Sequence, residues 1–264
     1  MSNSCEICKG ELTKTKNNLG NKCDDCGHIY SNYLSARLSE DFATRFRRDE
    51  HLDNLRLEAY QSDLEFCEGD FHEVQSILDV GCSDGVFTTI IGKKYPEKRI
   101  VGIDIDRRSV ELAREKNKLL NCDFLVGSIE NVDLFEYDCI LFRGTFQYFA
   151  NPAKVLLEKF KNLKLNAKII IMSLPNSDSL GFELNEEEWR LGDLSEVANI
   201  YSLRSVQKLF HGLNFVQHRV ELPYSETPYY TPLIQNEIGK YTISKSNAFY
   251  GNIINIIFVN KSFL

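Results

Sequence analysis

Two groups of residues in this sequence have the types and spacing for chemistry. The first is the stretch LDVGCSDGVF, residues 78–87, where Gly81, Ser83 and Gly85 stand as the three glycines of a dinucleotide fingerprint would. Such a turn at a helix N-terminus grips a nucleotide with its backbone. Here acids flank it at Asp79 and Asp84, which is unusual for a phosphate loop. The second group is two Cys-x-x-Cys pairs, Cys5 with Cys8 and Cys23 with Cys26, separated by fourteen residues.

Two Cys-x-x-Cys turns joined by a short loop can present four thiolates tetrahedrally, the arrangement that suits Zn²⁺. Gly10 and Gly27 follow the second cysteine of each pair, where a tight turn brings backbone N–H groups toward sulfur. A four-thiolate sphere is closed, so the metal is expected to be structural, folding a segment too small for its own core. His28 is an alternative ligand, but Cys26 is better placed. A redox dithiol would need a βαβ context that this segment lacks. The other four of the eight cysteines, Cys67, Cys82, Cys122 and Cys139, are scattered among apolar neighbours and read as small core residues.

The bulk properties narrow the setting. A chain of 264 residues with 43% hydrophobic and 26% charged residues is ordinary globular material. The net charge of −7 argues against whole-surface attraction to nucleic acid. Neither terminus carries a leader or lipidation pattern. No apolar run approaches the length of a membrane span; IINIIFV (253–259) is strand-sized. A soluble cytoplasmic protein is expected.

These groups need elements to hold them. Residues 1–32 read as a zinc ribbon and 33–73 as a helical bridge. In the bridge Phe42, Phe46, Leu52, Leu55, Ala59, Leu64 and Phe66 recur at helical spacing. Ser39 is a candidate N-cap and Gly69 a candidate stop. Arg45, Arg47 and Arg48 read as a solvated face, because acids follow at once. From 74 to 264 the chain alternates β-branched runs with helical ones. Strands are expected at 76–80, 99–104, 122–127, 138–143 and 168–174, and helices at 86–94, 107–119 and 152–164. That rhythm predicts an α/β fold with a doubly wound, Rossmann-like parallel sheet. Two final runs, 214–221 and 252–260, should pair as a hairpin at one sheet edge.

In such a sheet the turn after the first strand lies where ligands bind. Asp104 ends the second strand nineteen residues past Gly85, at the place of a ribose-gripping carboxylate. The ligand is therefore expected to be a nucleoside. Asp79 and Asp84 would repel a pyrophosphate, by about 4 kcal/mol at 4 Å and an effective dielectric of 20. A cationic, phosphate-free nucleoside fits better, and S-adenosylmethionine, with its ammonium and sulfonium, is one.

The stretch ILDVGCSDGVFTTIIGKKYPEKRIVGIDIDRRSVELAREKN resembles the first two motifs of the class I S-adenosylmethionine-dependent methyltransferases, with Ser83 replacing the middle glycine. LVGSIENVD is similar to that family's third motif, and FRGTFQYFANPAKVLLEKFKNLKLNAKIIIMSLPN to its fourth-to-fifth-strand segment. The resemblance implies the family's seven-stranded sheet over 74–264, with substrate-side insertions in 175–250. It also implies that Gly81, Cys82, Ser83, Asp84 and Gly85, with Asp79, line the methionine part. Asp104 would take the ribose, Ile105 the adenine face, and Ser128 and Ile129 the adenine edge. Arg143, Gly144 and Gln147 would stand at the methionine end and the mouth of the acceptor cleft.

Residues 179–215 resemble a segment of family members that act on sugars, glycan precursors, quinones and other small metabolites. Many of these carry a Pro-x-His whose histidine position holds Val197 here. Trp189 and Tyr201 could wall the acceptor site or be core aromatics. Residues 223–241, rich in proline and tyrosine, could form a lid or a homodimer contact. A hydroxyl acceptor needs a general base, and Asp178, Glu183, Glu186, Glu187, Glu188 and Asp193 are undistinguished candidates. His211 and His218 read as structural. The leading expectation is O-methylation of a sugar or surface-glycan precursor. One alternative is an rRNA base methyltransferase, since some carry a similar zinc segment, though the acidic chain opposes it. A second is a non-catalytic relative that binds cofactor or partner only.

Overall fold

The computed structural model of the protein describes residues 4–16, 20–32, 50–179, 182, 197–223 and 251–263. In chain order the strands and α-helices are β1 (Leu12–Lys14), β2 (Gly20–Cys23), β3 (Ile29–Ser31), α1 (Glu50–His72), β4 (Ser76–Val80), α2 (Val86–Lys94), β5 (Arg99–Asp104) and α3 (Arg107–Lys116). They continue with β6 (Cys122–Val126), β7 (Cys139–Arg143), α4 (Pro152–Lys159), β8 (Lys168–Pro175), β9 (Asn199–Ile200), α5 (Leu203–Gly212), β10 (Phe215–Glu221) and β11 (Ile253–Asn260).

Among the described residues the main sheet has seven strands in the order β10-β11-β8-β7-β4-β5-β6. The five from β8 to β6 are parallel, while β11 runs antiparallel to β8 and β10 antiparallel to β11. Strands covered on both faces must be apolar throughout, and β4, β7 and β8 are accordingly buried along nearly their whole length. Alternate residues serve opposite layers. Leu78, Val80, Ile140 and Phe142 pack with residues of α4 and α5, such as Leu156 and Phe210. Ile77, Leu141, Ile170 and Met172 pack with residues of α1, α2 and α3, such as Phe66, Ile91 and Val110. The sheet therefore holds one core on each side, as a doubly wound fold requires.

Three boundaries differ from the sequence reading. Helix α1 runs through Gly69 to His72. A Cβ at Gly69 would meet only Arg219 Nη2, at 3.6 Å, so this glycine ends nothing. Helix α3 stops at Lys116 because Asn117 turns the chain: its Nδ2 donates to Thr89 Oγ1 at 2.9 Å and its Oδ1 accepts from Leu119 N at 2.7 Å. The predicted helix 152–164 is α4 followed by a 3-10 turn, Phe160–Asn162. Ser39, Phe42, Phe46, Arg45, Arg47 and Arg48 lie outside the described residues.

Strands β1, β2 and β3 form an antiparallel meander that accepts β9 as a fourth strand through Ile29↔Ile200 and Tyr30↔Asn199. Sequence reading had no strand at 199–200. It exists because the N-terminal meander offers it an edge. No helix among the described residues is long and apolar enough to cross a membrane.

Candidate cofactor and metal sites

Strand order reverses between β4 and β7, and the loops leaving these two strands meet there. Gly81 N and Cys82 N donate to Ile103 O of β5 at 2.7 and 3.2 Å. Gly81, Ser83 and Gly85 have φ of 79°, 52° and 72°, the left-handed region that glycine enters freely. A Cβ on Gly81 would fall onto Thr145, whose Oγ1 donates to Arg143 O at 3.2 Å. The turn and the β7 loop thus touch backbone to side chain. Gly144, φ 60°, has nothing within 4 Å of where its Cβ would be, so open space lies beside it.

Asp104 is braced toward the turn. Its Oδ2 accepts from Ser83 N at 2.8 Å and its Oδ1 from Asp106 N at 2.9 Å. Each carboxylate oxygen can accept more than one hydrogen bond, which suits a vicinal diol. The next residue, Ile105, is 55% exposed, an apolar surface beside that carboxylate. Ser128 caps a 3-10 turn: its Oγ accepts from Glu130 N at 3.2 Å and pairs with Asn131 Oδ1. Ile129 is 1% exposed and packs in the core, so only backbone can face a nucleoside there.

The two flanking acids are held in different ways. Asp79 is 2% exposed and lies beneath the turn, where Thr88 Oγ1 donates to its Oδ2 at 2.6 Å. Burial pushes its carboxyl up to about 6, against the opposing pull of the Thr88 bond and Arg143. Asp84 faces Lys116 Nζ at 3.7 Å, which offsets its charge. The Cys82 side chain turns down against Gly102 and is buried. Of the three acids, Asp104 is the one held by backbone N–H groups of both the turn and the loop after β5.

Arg143 points toward the bridge helix. Its Nε donates to Asp63 Oδ2 at 2.7 Å, and its guanidinium lies 4.2 Å over the Tyr60 ring and 5.3 Å from that of Phe87. Gln147 Nε2 donates to Gly144 O at 3.0 Å, while its buried Oε1 has no partner. Sequence reading missed Tyr60, Asp63 and Thr145. The one available signal was a carboxylate, Asp63, on the helical face that carries Ala59 and Phe66.

Cys5, Cys8, Cys23 and Cys26 bring their sulfurs within 4.8 Å of one another. Four sulfurs each about 2.3 Å from a central ion stand about 3.8 Å apart on a tetrahedron. The pairs Cys5–Cys26 and Cys8–Cys23 are 3.7 and 3.4 Å apart, so the cluster fits a Zn²⁺ ion. The short Cys5–Cys26 contact lets one sulfur share the other's proton, holding the Cys5 thiol below its ordinary value. At the first knuckle it is Lys9, φ 67°, rather than Gly10 that takes the left-handed turn; Gly10 is needed because a Cβ would strike Asp25. His28 is fully buried, its Nε2 donating to Asn199 Oδ1 at 3.0 Å, and is not among the four. Burial holds it down to about 4.

The family model described as a methyltransferase domain matches residues 71–210, more than half of the 264. The chain therefore belongs to the class I S-adenosylmethionine-dependent methyltransferases. Among curated proteins it is similar to a malonyl-[acyl-carrier protein] O-methyltransferase of Priestia megaterium, 26% identical over 129 residues that cover 48% of this chain and 47% of that protein. An enzyme of the same name from Ilyobacter polytropus is 33% identical over 113 residues, 42% of this chain and 41% of that one. The chain spans about half the length of the curated relatives it matches. Its fold is shared by a methyltransferase of Thermotoga maritima, with TM-score 0.59, 19% identity and coverage of 84% of this chain and 97% of that one. It is also shared by the plantazolicin methyltransferase BpumL in complex with SAH, with TM-score 0.54, 19% identity and coverage of 84% and 95%.

Proposed function

We propose that this protein moves a methyl group from S-adenosylmethionine to an oxygen acceptor on a small or carrier-bound molecule. The observation that carries the reading is Asp104, braced by Ser83 N and Asp106 N beside exposed Ile105. That arrangement offers an acceptor for a ribose diol and an apolar face for a base beside it. The cofactor supplies an already activated methyl on a sulfonium, so the chain's work is positioning and exclusion of water. In this reading Asp104 holds the ribose, Ile105 covers the adenine, and Ser128 and Ile129 offer backbone at its edge. The turn Gly81–Gly85 lies along the methionine part, with Asp79 buried beneath it. Arg143 and Gly144 border the methyl's exit. Cys5, Cys8, Cys23 and Cys26 hold a structural Zn²⁺.

For the acceptor, the names of the curated relatives favour a carrier-bound carboxylate. A sugar or surface-glycan precursor rests on the resemblance of residues 179–215, of which 180–181 and 183–196 lie outside the described residues, Trp189 and five of the six candidate bases among them. The sixth, Asp178, is half-buried beside Gly27 of the ribbon, and burial raises its carboxyl.

Calorimetry on metal-loaded protein tests the reading. S-adenosylhomocysteine should bind stoichiometrically while NAD and ATP do not. Binding of NAD or ATP with S-adenosylhomocysteine ignored overturns it.

A further inference from the structure

The metal cluster has a second connection. Its second knuckle is fastened to the loops at the carboxyl ends of the main sheet. Ser202 Oγ donates to Cys26 O, and Ser177 Oγ donates to Gly27 O at 2.8 Å. Gly27 docks so closely that a Cβ there would lie 3.1 Å from both Ser202 Cβ and Asp178 Oδ1.

Contact continues beyond the knuckle. His28 Nε2 donates to Asn199 Oδ1, and Asn199 Nδ2 donates onward to Phe149 O. Ser31 N donates to Ala198 O at 3.0 Å, and Ala198 N to Gln147 O at 3.1 Å. The His28 ring stands 4.6 Å from that of Tyr201, which stands 5.2 Å from Phe146. The residues reached, Phe146, Gln147 and Phe149, belong to the loop that leaves β7 at Gly144. By contrast, the nucleoside side of the cleft, Ser83 to Asp106, is braced within the sheet by the bonds of Ser83 N and Asp106 N to Asp104.

We propose that the metal-tied knuckle Cys23–His28 positions the Gly144–Phe149 loop through Asn199, making the ribbon a wall of the acceptor side of the cleft. This rests on the reading above only in naming that side as the acceptor's. Asn199 is a positioning residue: one end of its amide is held by the ribbon and the other holds Phe149. With the metal bound, the knuckle carbonyls at 26 and 27 and the His28 ring are fixed. Without it they lose their anchor, and with it goes the support of segment 198–201, which holds the loop at Gln147 and Phe149.

Hydrogen exchange on the full chain, zinc-loaded and then chelator-stripped, reads the coupling directly. Stripping should speed exchange of residues 144–149 and 198–202 by about 30- to 160-fold, as loss of two or three net hydrogen bonds of about 1 kcal/mol each implies. Residues 102–106 should keep their protection, and S-adenosylhomocysteine its affinity. Asn199→Ala, zinc-loaded at unchanged stoichiometry, should loosen 144–149 by less, because Ala198 N still donates to Gln147 O, and leave residues 5–26 protected. Exchange confined to the ribbon after stripping overturns the proposal. So does unfolding of the whole chain by both treatments, since the ribbon would then be a general stabiliser. A chain that shows the coupling yet ignores S-adenosylhomocysteine refutes the cofactor reading and leaves the coupling standing.

Discussion

Arg143 at the end of β7 and Asp63 in the bridge helix are joined by a 2.7 Å hydrogen bond across eighty residues of sequence. Asp63 is 3% exposed and also accepts from Asn255 Nδ2 at 3.2 Å and Ser173 Oγ at 3.3 Å. One carboxylate therefore ties α1 to β7, β8 and β11 at the edge of the candidate cofactor site. Removing one partner of a buried ion pair leaves the other uncompensated. Asp63→Ala should cost about 3–5 kcal/mol in urea unfolding. Arg143→Lys keeps the charge but loses the planar stack on Tyr60. It should therefore be destabilising as well, though by less than Asp63→Ala.

Asp104 separates binding from folding. Asp104→Asn retains an acceptor for Ser83 N or Asp106 N but loses the charge. Charge-assisted bonds contribute about 1.5–3 kcal/mol each, so S-adenosylhomocysteine affinity should fall by about 10²-fold while the unliganded melting temperature drops only a few degrees. Calorimetry beside thermal unfolding checks both halves. Unchanged affinity would remove Asp104 from the site.

Asp79 sets a pH dependence. Burial raises its folded carboxyl from 3.8 to about 6, so the folded chain binds this proton more tightly than the unfolded chain. The stability it contributes is complete below about pH 4 and is lost as pH rises through about 6. The loss is about 3 kcal/mol for a shift of about two units. Asp79→Asn keeps an acceptor for Thr88. Its unfolding free energy, compared with wild type, should gain about that amount between pH 4 and pH 7 in parallel urea titrations.

Gly81 combines two constraints. Alanine there meets Thr145 and must hold φ 79°, which together should cost about 2–4 kcal/mol. In the double variant Gly81→Ala/Thr145→Ala the clash should be eased but not removed, since the Cβ at 145 still stands 2.8 Å away, and the backbone part retained, so that less than half the loss is recovered. Chemical denaturation of the three variants separates the two terms.

The ribbon offers a metal test. Cys8 is the least buried of the four cysteines, so Cys8→Ser removes a ligand with little packing change. Zinc content by mass spectrometry should fall from one per chain toward zero, and proteolysis should begin within residues 5–31. A full complement of zinc in the variant would contradict a four-thiolate site.

Much of this was legible because it is local. Strands buried on both faces must be β-branched runs, so β4, β5, β7 and β8 could be read to within a residue or so. The four cysteines announce themselves by spacing, and Asp104 by its distance from the glycine turn. For Asp79 the sequence shows that an acid stands beside the turn without showing which face of β4 it occupies. Its carboxyl went inward to Thr88. The bridge glycine misled for a related reason: Gly69 looked like a stop, and packing against the sheet carried the helix past it.

What the sequence determined by itself was the family, the sheet and the identity of the groups able to do chemistry, because these depend on periodicity and short spacing. Only the tertiary structure decided how those groups are held: Asp63 on Arg143, and His28 on Asn199 across 171 residues. Such pairings arise where chain ends and loops converge on the carboxyl edge of a sheet. A contact between residues so distant in sequence is set by how whole elements pack, which no local pattern records.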